Sequence, residues 1–361
     1  MAVVGQVLKM VLGTRATGMP SLDAMLEGFD RELGHVTNVV KPAPESKPRT
    51  PFDNPRLSFD EMYMARLTGT QLLAFLRVLV PLRVRMSQSA RLYADWYRPT
   101  KSQASAEFLT QFQDLARASG AADIRFVQVP GNAIFKHKGV PHAQAVILTV
   151  EMKRSAFVNA PSFEAFLEVA RGYGNLARIG NRLAHFMRRN GFAAYPGTAL
   201  GGLTDYVHLA ERAGLGAIGY HGLLITPTEG ARLRINTIYT NIENLPFETE
   251  NEHLWVRDFC ASCRKCIRSC PVQAIGPQPR PRGDGGMQCI DHDACRDYFD
   301  RNFGCGICLA KCPFSDAGYD AIKARFKGNP TAPRFRIPVP GSDAPRDAQP
   351  EPVARVQPGA A

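Results

Sequence analysis

Two cysteine-rich stretches, FCASCRKCIRSCP at residues 259–271 and GCGICLAKCPF at residues 304–314, decide the architecture of the second half of the chain. All nine cysteines of the 361-residue chain fall between Cys260 and Cys312, unlike the dispersed cysteines of a secreted disulfide scaffold. The spacings CxxCxxCxxxCP and CxxCxxxCP favour two iron–sulfur clusters of the 4Fe-4S type, because thiolates are soft ligands. One structural zinc ion would use four thiols and leave five unexplained.

Two such clusters need eight thiolates, and the two runs supply seven. Either Cys289 or Cys295, from the segment between the two runs, must therefore supply the eighth thiolate. Cys295 is favoured because residues 295–305 make a short return loop, whereas Cys289 follows a flexible glycine-rich turn at 283–286. The fourth cysteine of each run is expected to reach the neighbouring cluster. The predicted sets are Cys260, Cys263, Cys266 and Cys312 for one cluster, and Cys295, Cys305, Cys308 and Cys270 for the other. Cys289 is expected to be a free thiol.

Composition excludes a wholly disordered or coiled-coil chain, because 45% of the residues are hydrophobic and 21% are charged. The net charge of +11 favours an anionic partner such as nucleic acid, a membrane surface or an acidic electron carrier. No apolar run is long enough for a transmembrane segment. The first residues contain neither an Arg-Arg pair nor an A-x-A-like cleavage site, so we expect a cytoplasmic protein.

The segment from residue 105 to 241 mixes helix-like and strand-like patterns, which predicts an α/β or α+β domain. One helix is expected after Ser105 and is expected to stop at Gly120, and a long helix is expected from Ser162, its N-cap, to Gly191. Strands are expected at 123–129 and 144–152, a short helix at 204–212, and paired strands at 222–226 and 231–241. Residues 71–85 predict a helix that is broken at Pro81 and packed on the neighbouring domain.

The predicted organisation has four parts. These are an unassigned N-terminal extension at 1–100, the α/β domain at 101–250, the two-cluster module at 251–320 and a Pro-rich, disordered tail at 321–361.

Gly214, Gly216 and Gly219 spell GxGxxG, but a helix precedes them and a strand follows, which is the reverse of a dinucleotide site. Taken together, AGLGAIGYHGLLITP at 213–227, GAR at 230–232 and the double-cluster segment resemble the corrinoid-dependent reductive dehalogenases. More distantly, they resemble the epoxyqueuosine reductases. The resemblance covers residues 105 to 315.

The resemblance implies a nitroreductase-like α/β core that binds cobalamin in its base-off form, beside a ferredoxin-like module that supplies electrons. It implies that Tyr173 donates a proton and that Arg232 stabilises the phenolate. Many members carry an asparagine after the long helix, where this chain has Pro196-Gly-Thr-Ala199. The residues expected at the corrinoid are Gly214, Gly216, Gly219, Leu224, Thr226 and Arg232.

The leading hypothesis is an oxidoreductase that reductively cleaves a carbon–halogen or related bond of a small-molecule substrate. Its electrons would come from a separate ferredoxin or flavodoxin. A second hypothesis is an epoxyqueuosine-type reductase acting on tRNA, which suits the basic residues near the clusters. A third is a non-catalytic 4Fe-4S electron-transfer protein whose α/β domain has lost its corrinoid.

Overall fold

The computed structural model describes residues 40–52, 54 and 56–326, together with residues 24, 26, 27, 335 and 336. The α-helices are α1 (Gly69–Ala94), α2 (Ala106–Ala118), α3 (Arg154–Phe157), α4 (Phe163–Arg189), α5 (Tyr206–Arg212), α6 (Trp255–Cys263), α7 (Lys265–Ser269), α8 (His292–Arg301), α9 (Ile307–Ala310), α10 (Pro313–Asp316) and α11 (Tyr319–Arg325). The strands are β1 (Asp123–Gln128), β2 (Gln144–Glu151), β3 (Ala194–Pro196), β4 (Ala217–Ile218), β5 (Leu224–Ile225), β6 (Leu233–Thr240), β7 (Glu250–Asn251), β8 (Ile275–Pro281), β9 (Met287–Ile290) and β10 (Phe335–Arg336).

The central sheet has the strand order β1-β2-β6-β3, and every neighbouring pair in it is antiparallel. The expectation of a mixed helix and strand core is confirmed, and the antiparallel pairing makes it α+β rather than α/β. The predicted pairing of 222–226 with 231–241 is wrong. Instead, β5 pairs with β4, while β6 pairs with β2 and β3 because its apolar residues are buried at the centre of the sheet.

Helix α4 lies across the sheet and forms most of the core on that side. Its predicted N-cap is confirmed, since the Ser162 hydroxyl accepts a hydrogen bond from the backbone of Ala165 at 3.2 Å. Leu176, Ile179 and Leu183 are fully buried in one cluster with Ile238 of β6. This packing fixes the face of β6 that α4 covers.

Helix α1 is unbroken at Pro81, contrary to the sequence-based expectation. Proline removes one backbone hydrogen bond from a helix, yet Leu79 and Leu82 are buried on either side of it. Burial of the apolar face of α1 therefore outweighs the local cost. The helix packs against the larger domain as predicted, with Phe75 in a cluster that includes Phe163 of α4.

The cysteine-rich segment packs around the fully buried Trp255, in a cluster that also contains Ala217 of β4 and Ile225 of β5. The indole of Trp255 donates to the Tyr319 hydroxyl at 2.8 Å, and the side chain of Ile322 is buried in the same cluster. Helix α11 consequently extends past the predicted start of the tail at residue 321. Residues 327–361, except 335 and 336, and most of the first 39 lie outside the described residues. In the described part, no helix is both long and apolar enough to cross a bilayer.

Candidate active site and metal centre

The first cysteine run is divided between two short helices. Cys260 and Cys263 lie on α6, and Cys266 lies on α7. The helices meet at Arg264, whose left-handed backbone has a φ of 51°. This kink interrupts the helical path between Cys263 and Cys266, so one continuous helix does not carry all three thiols.

The second run is shaped by four consecutive residues with positive φ, from Phe303 to Gly306. Two of them, Phe303 and Cys305, are not glycine, so the backbone stores strain at this turn. The turn lies between α8, which carries Cys295, and α9, which carries Cys308. It therefore sets the direction of the chain between Cys295 and Cys308.

The first group of thiols forms around Cys260. Burial, together with the thiols of Cys266 and Cys263, raises the pKa of Cys260 to about 12. Burial and then the charges of Cys260 and Cys266 raise the pKa of Cys312 far above its usual range. These four residues therefore lie close enough for their charges to interact.

The second group forms around Cys295. Burial, together with the thiols of Cys305 and Cys270, raises the pKa of Cys295 to about 11. Burial and the thiols of Cys305 and Cys295 raise the pKa of Cys308 to about 12. The charge of Cys266 also raises the pKa of Cys308, so the two groups are neighbours. The structure brings together the two sets named from the sequence, and their assignment as ligands stays a prediction.

Cys289 lies apart from the second group, on β9. Its side chain is buried against Gly222, where an added Cβ would lie 3.3 Å from the Cβ of Cys289. Burial raises the pKa of Cys289 to about 11, and Arg257 opposes that increase. The charge of Cys289 also raises the pKa of Cys260. Cys289 therefore lies beside the first group rather than beside Cys295.

The chemistry of these thiols fits an iron–sulfur cofactor. Several buried thiolates in each other's vicinity repel one another, and a cationic iron core would relieve that repulsion. In the described ranges, no three His, Cys, Asp or Glu side chains are arranged to hold one metal ion. A cubane is wider than a single ion, and its ligands accordingly stand further apart than those of zinc.

The residues expected to contact a corrinoid are used mainly in packing. Gly216 and Gly219 allow β4 to approach β5, since an added Cβ would lie 2.1 Å from the Ile225 carbonyl oxygen and 2.7 Å from its Cδ1, respectively. The side chains of Leu224 and Thr226 are buried, and Thr226 donates to Glu229. These side chains therefore do not fit a role as direct cofactor contacts.

Gly214 has a φ of +71°, a left-handed conformation that glycine adopts without steric cost. It closes the turn between α5 and β4, where an added Cβ would meet Glu248 at 3.4 Å. Its backbone conformation explains the glycine without a cofactor.

Arg232 joins the sheet to the cysteine-rich segment instead of contacting Tyr173. Its guanidinium donates to Glu151 at 2.7 Å, to the Met152 carbonyl at 2.8 Å and to the Ser315 carbonyl at 3.0 Å. The predicted pairing with Tyr173 is therefore not the contact that the structure has. These three acceptors hold Arg232 in place between β2 and α10.

Arg234 occupies the place beside Tyr173. The Arg234 guanidinium carbon lies 5.2 Å from the centre of the Tyr173 ring, within the range of a cation–π contact. Gly172 makes room for it, because an added Cβ there would lie 3.1 Å from Cγ of Arg234. Arg232 directly precedes β6, and the alternation of extended backbone places residues 232 and 234 on the same side, which is the sequence signal for this arginine.

Two polar atoms on this face of β6 are buried and have no hydrogen-bond partner among the described residues. They are Nε of Arg234 and Oδ1 of Asn236. The Asn236 amide donates to the Gly197 carbonyl at 3.2 Å, in the loop where the expected asparagine is absent. Helix α4 covers this face at Asn236, which is fully buried, because an added Cβ on Gly180 would lie 3.2 Å from the Asn236 amide nitrogen. Arg234 and Tyr173 are half-buried, so they, rather than Asn236, fit the edge of a bound corrinoid.

No family model matches the chain. A tetrachloroethene reductive dehalogenase of Desulfitobacterium hafniense is 30% identical over 207 residues, which cover 52% of this chain and 37% of that protein. An epoxyqueuosine reductase of Listeria monocytogenes is 33% identical over 133 residues, covering 33% of this chain and 31% of the relative. The resemblance inferred from the sequence is confirmed.

The fold is also that of solved reductive dehalogenases. A catabolic reductive dehalogenase in complex with 3-bromo-4-hydroxybenzoic acid superposes with a TM-score of 0.59 at 18% identity. The match covers 82% of this chain and 48% of that structure. The chain thus spans less than half the length of each of these three proteins.

Proposed function

We propose that this chain provides the electron-transfer and proton-donor parts of a cobalamin-dependent reductase that cleaves a carbon–halogen or related bond. The observation that carries this proposal is the gathering of eight cysteines into two neighbouring groups. Support also comes from the similarity to proteins named as reductive dehalogenases, in sequence and in fold.

Two 4Fe-4S clusters are the cofactors proposed for the cysteine groups. Cys260, Cys263, Cys266 and Cys312 would hold one of them, and Cys270, Cys295, Cys305 and Cys308 would hold the other. When assembled, the clusters supply single-electron transfer. Because the charge of Cys266 raises the pKa of both Cys260 and Cys308, we infer that the two clusters are adjacent. A ferredoxin or flavodoxin is the proposed external electron donor.

Arg234 and Tyr173 are the residues proposed to lie beside the corrinoid. The corrinoid would supply the cobalt centre at which the carbon–halogen bond is cleaved. The overall reaction, R–X + 2e⁻ + H⁺ → R–H + X⁻, consumes two electrons and one proton. Tyr173 supplies the proton, and the adjacent Arg234 guanidinium stabilises the phenolate that remains. Arg232, which the resemblance implied for this role, is bound to Glu151 and two carbonyls.

Metal content provides the first test of this proposal. The chain is purified without oxygen, reconstituted with iron, sulfide and cobalamin, and assayed for cobalt and iron. We expect about one cobalt and about eight irons per chain, the content of two cubanes and one corrinoid. Iron without cobalt would overturn the enzyme and favour the electron-transfer protein.

Activity provides the second test. The loaded protein is given a low-potential chemical reductant and either tetrachloroethene or 3-bromo-4-hydroxybenzoate, and halide release is measured. We expect halide release that requires both metals. A loaded protein that reduces neither compound but reduces epoxyqueuosine in a tRNA stem loop would overturn the halide proposal.

Reduction of a nucleoside in tRNA is the second candidate. Arg264, Lys265 and Arg268 are exposed beside the first cysteine group and suit a phosphate backbone. The epoxyqueuosine reductases, which this chain resembles, use an acidic proton donor before the glycine turn. The two carboxylates in that segment are already engaged: Asp205 with Lys47, and Glu211 with Arg257. This engagement ranks the tRNA function second.

A further inference from the structure

A groove of about 890 Å³ lies between helices α1, α2 and α4, among residues that the reductase proposal does not use. Five arginines line it: Arg85 and Arg91 from α1, and Arg178, Arg182 and Arg189 from α4. The three from α4 are spaced i, i+4 and i+11, which places them on one face of that helix. We name this feature the arginine groove.

None of the five arginines forms an ion pair with a carboxylate in the part of the chain that the structure describes. The acidic residue at the groove, Asp95, already binds Arg188 at 2.9 Å. Arg85 and Arg178 donate to backbone carbonyls, of Gly174 at 3.1 Å and Ser119 at 2.7 Å. The groove therefore holds five positive charges and one carboxylate, which is already paired with Arg188.

The positive charges are close enough to disfavour one another. Burial lowers the pKa of Arg85, and the charge of Arg178 lowers it further. Like charges gathered in a concave surface attract anions, and guanidinium groups bind phosphate through paired hydrogen bonds. The groove also has apolar lining from Leu92, Leu115 and Phe186. Its volume is within the usual range for a small-molecule site, about 300–1,000 Å³.

We propose that the arginine groove binds a small oligophosphate anion, supplied either by a nucleoside triphosphate or by inorganic polyphosphate. The phosphates would lie between the guanidinium groups of α1 and α4. With a nucleotide, the base would contact the apolar lining. This site is independent of the proposed reductase function, since it shares no residue with the cysteine groups or with Tyr173.

Isothermal titration of the cluster-loaded chain with ATP and with tripolyphosphate tests the proposal. The variant is Arg182→Ala with Arg189→Ala, because both side chains are exposed and have no hydrogen bond or ion pair among the described residues. Arg77→Ala is the matched control, an exposed arginine of α1 outside the groove. Circular dichroism melting checks that all variants fold.

We expect wild type and the control to bind alike, and the double variant to bind about 100-fold more weakly, roughly tenfold per guanidinium. Tighter binding of ATP identifies a nucleotide site, whereas equal binding identifies inorganic polyphosphate. Equal affinities of the double variant and wild type would overturn the proposal, as would the absence of binding to either probe. If only an RNA of about 20 nucleotides binds and the double variant loses it, the groove is a nucleic-acid surface instead.

Discussion

Replacing Cys295 with alanine tests the cluster assignment most sharply, with Cys289→Ala as its matched control. Cys295 lies on α8 and interacts with Cys305 and Cys270, whereas Cys289 lies on β9 against Gly222. Both thiols have a raised pKa of about 11, with burial as the main cause. The two substitutions therefore remove similar groups and differ in the neighbours that they affect.

Two cubanes contain about eight irons, so loss of one cluster lowers the iron content to about four per chain. We expect that loss for Cys295→Ala, because its group would be left with three thiolates. We expect about eight irons for Cys289→Ala. Each substitution removes one buried or half-buried sulfur, at a similar cost of about 1 kcal/mol in the free energy of unfolding. A difference in iron content consequently reports ligation rather than stability.

The assay measures iron and acid-labile sulfide after anaerobic reconstitution, together with the electron paramagnetic resonance of the reduced clusters. Wild type should show the broadened signal of two interacting clusters, and Cys295→Ala the signal of one. Loss of half the iron from Cys289→Ala, with full content in Cys295→Ala, would refute the ligand sets. Equal loss from both would show that the reasoning from neighbouring thiols is unsound.

Three further substitutions probe the proton donor, the packing between the segments and one of the buried histidines, His221. Tyr173→Phe should lower the rate of halide release by about 100-fold at unchanged iron content, whereas an unchanged rate would remove Tyr173 from the chemistry. Gly230→Ala should lower the unfolding free energy by about 2 kcal/mol or more in chemical denaturation, because φ is +61° and the new Cβ would lie 2.2 Å from a backbone oxygen of Phe314. Its control, Gly283→Ala, has no atom within 4 Å, and an equal loss there would contradict the packing argument. Burial lowers the pKa of His221 from 6.5 to about 4, so the unfolding free energy should fall by up to about 3 kcal/mol as the pH drops from 6.5 to 4. His221→Gln should flatten that decline, and an unchanged pH profile would show that His221 does not cause it.

The sign of the histidine effect follows from where the proton binds. His221 is neutral in the folded chain, where its Nδ1 accepts a hydrogen bond from Leu223 at 3.1 Å. Unfolding therefore takes up a proton below the ordinary pKa of histidine, and this favours the unfolded chain at acidic pH. Above pH 6.5 the residue contributes its full stability.

Local patterns in the sequence predict the elements well where one short-range rule controls the backbone. Ser105 and Ser162 cap their helices because a hydroxyl satisfies a nearby backbone amide, and this needs only the next three residues. The helix at 71–85 was predicted with a break, because local rules count the lost hydrogen bond of Pro81 but not the burial of Leu79 and Leu82.

Strand pairing depends on contacts between residues that are distant in the chain. Residues 222–226 and 231–241 are neighbours in sequence, and local reasoning pairs them. The second of these segments instead forms β6, which lies between β2 and β3 and pairs with a strand on each side. The antiparallel arrangement of the central sheet likewise depends on contacts between residues that are distant in the chain.

The sequence by itself predicts an iron–sulfur centre, because the type and the spacing of the proposed ligands are given by two short runs of cysteines. It also determined the family resemblance and the Ser162 cap of the long helix α4. Only the tertiary structure decided which arginine faces Tyr173, since the acceptors that hold Arg232 come from β2 and α10. The arginine groove is likewise invisible in sequence, because helices about ninety residues apart must pack together before their charges share one surface.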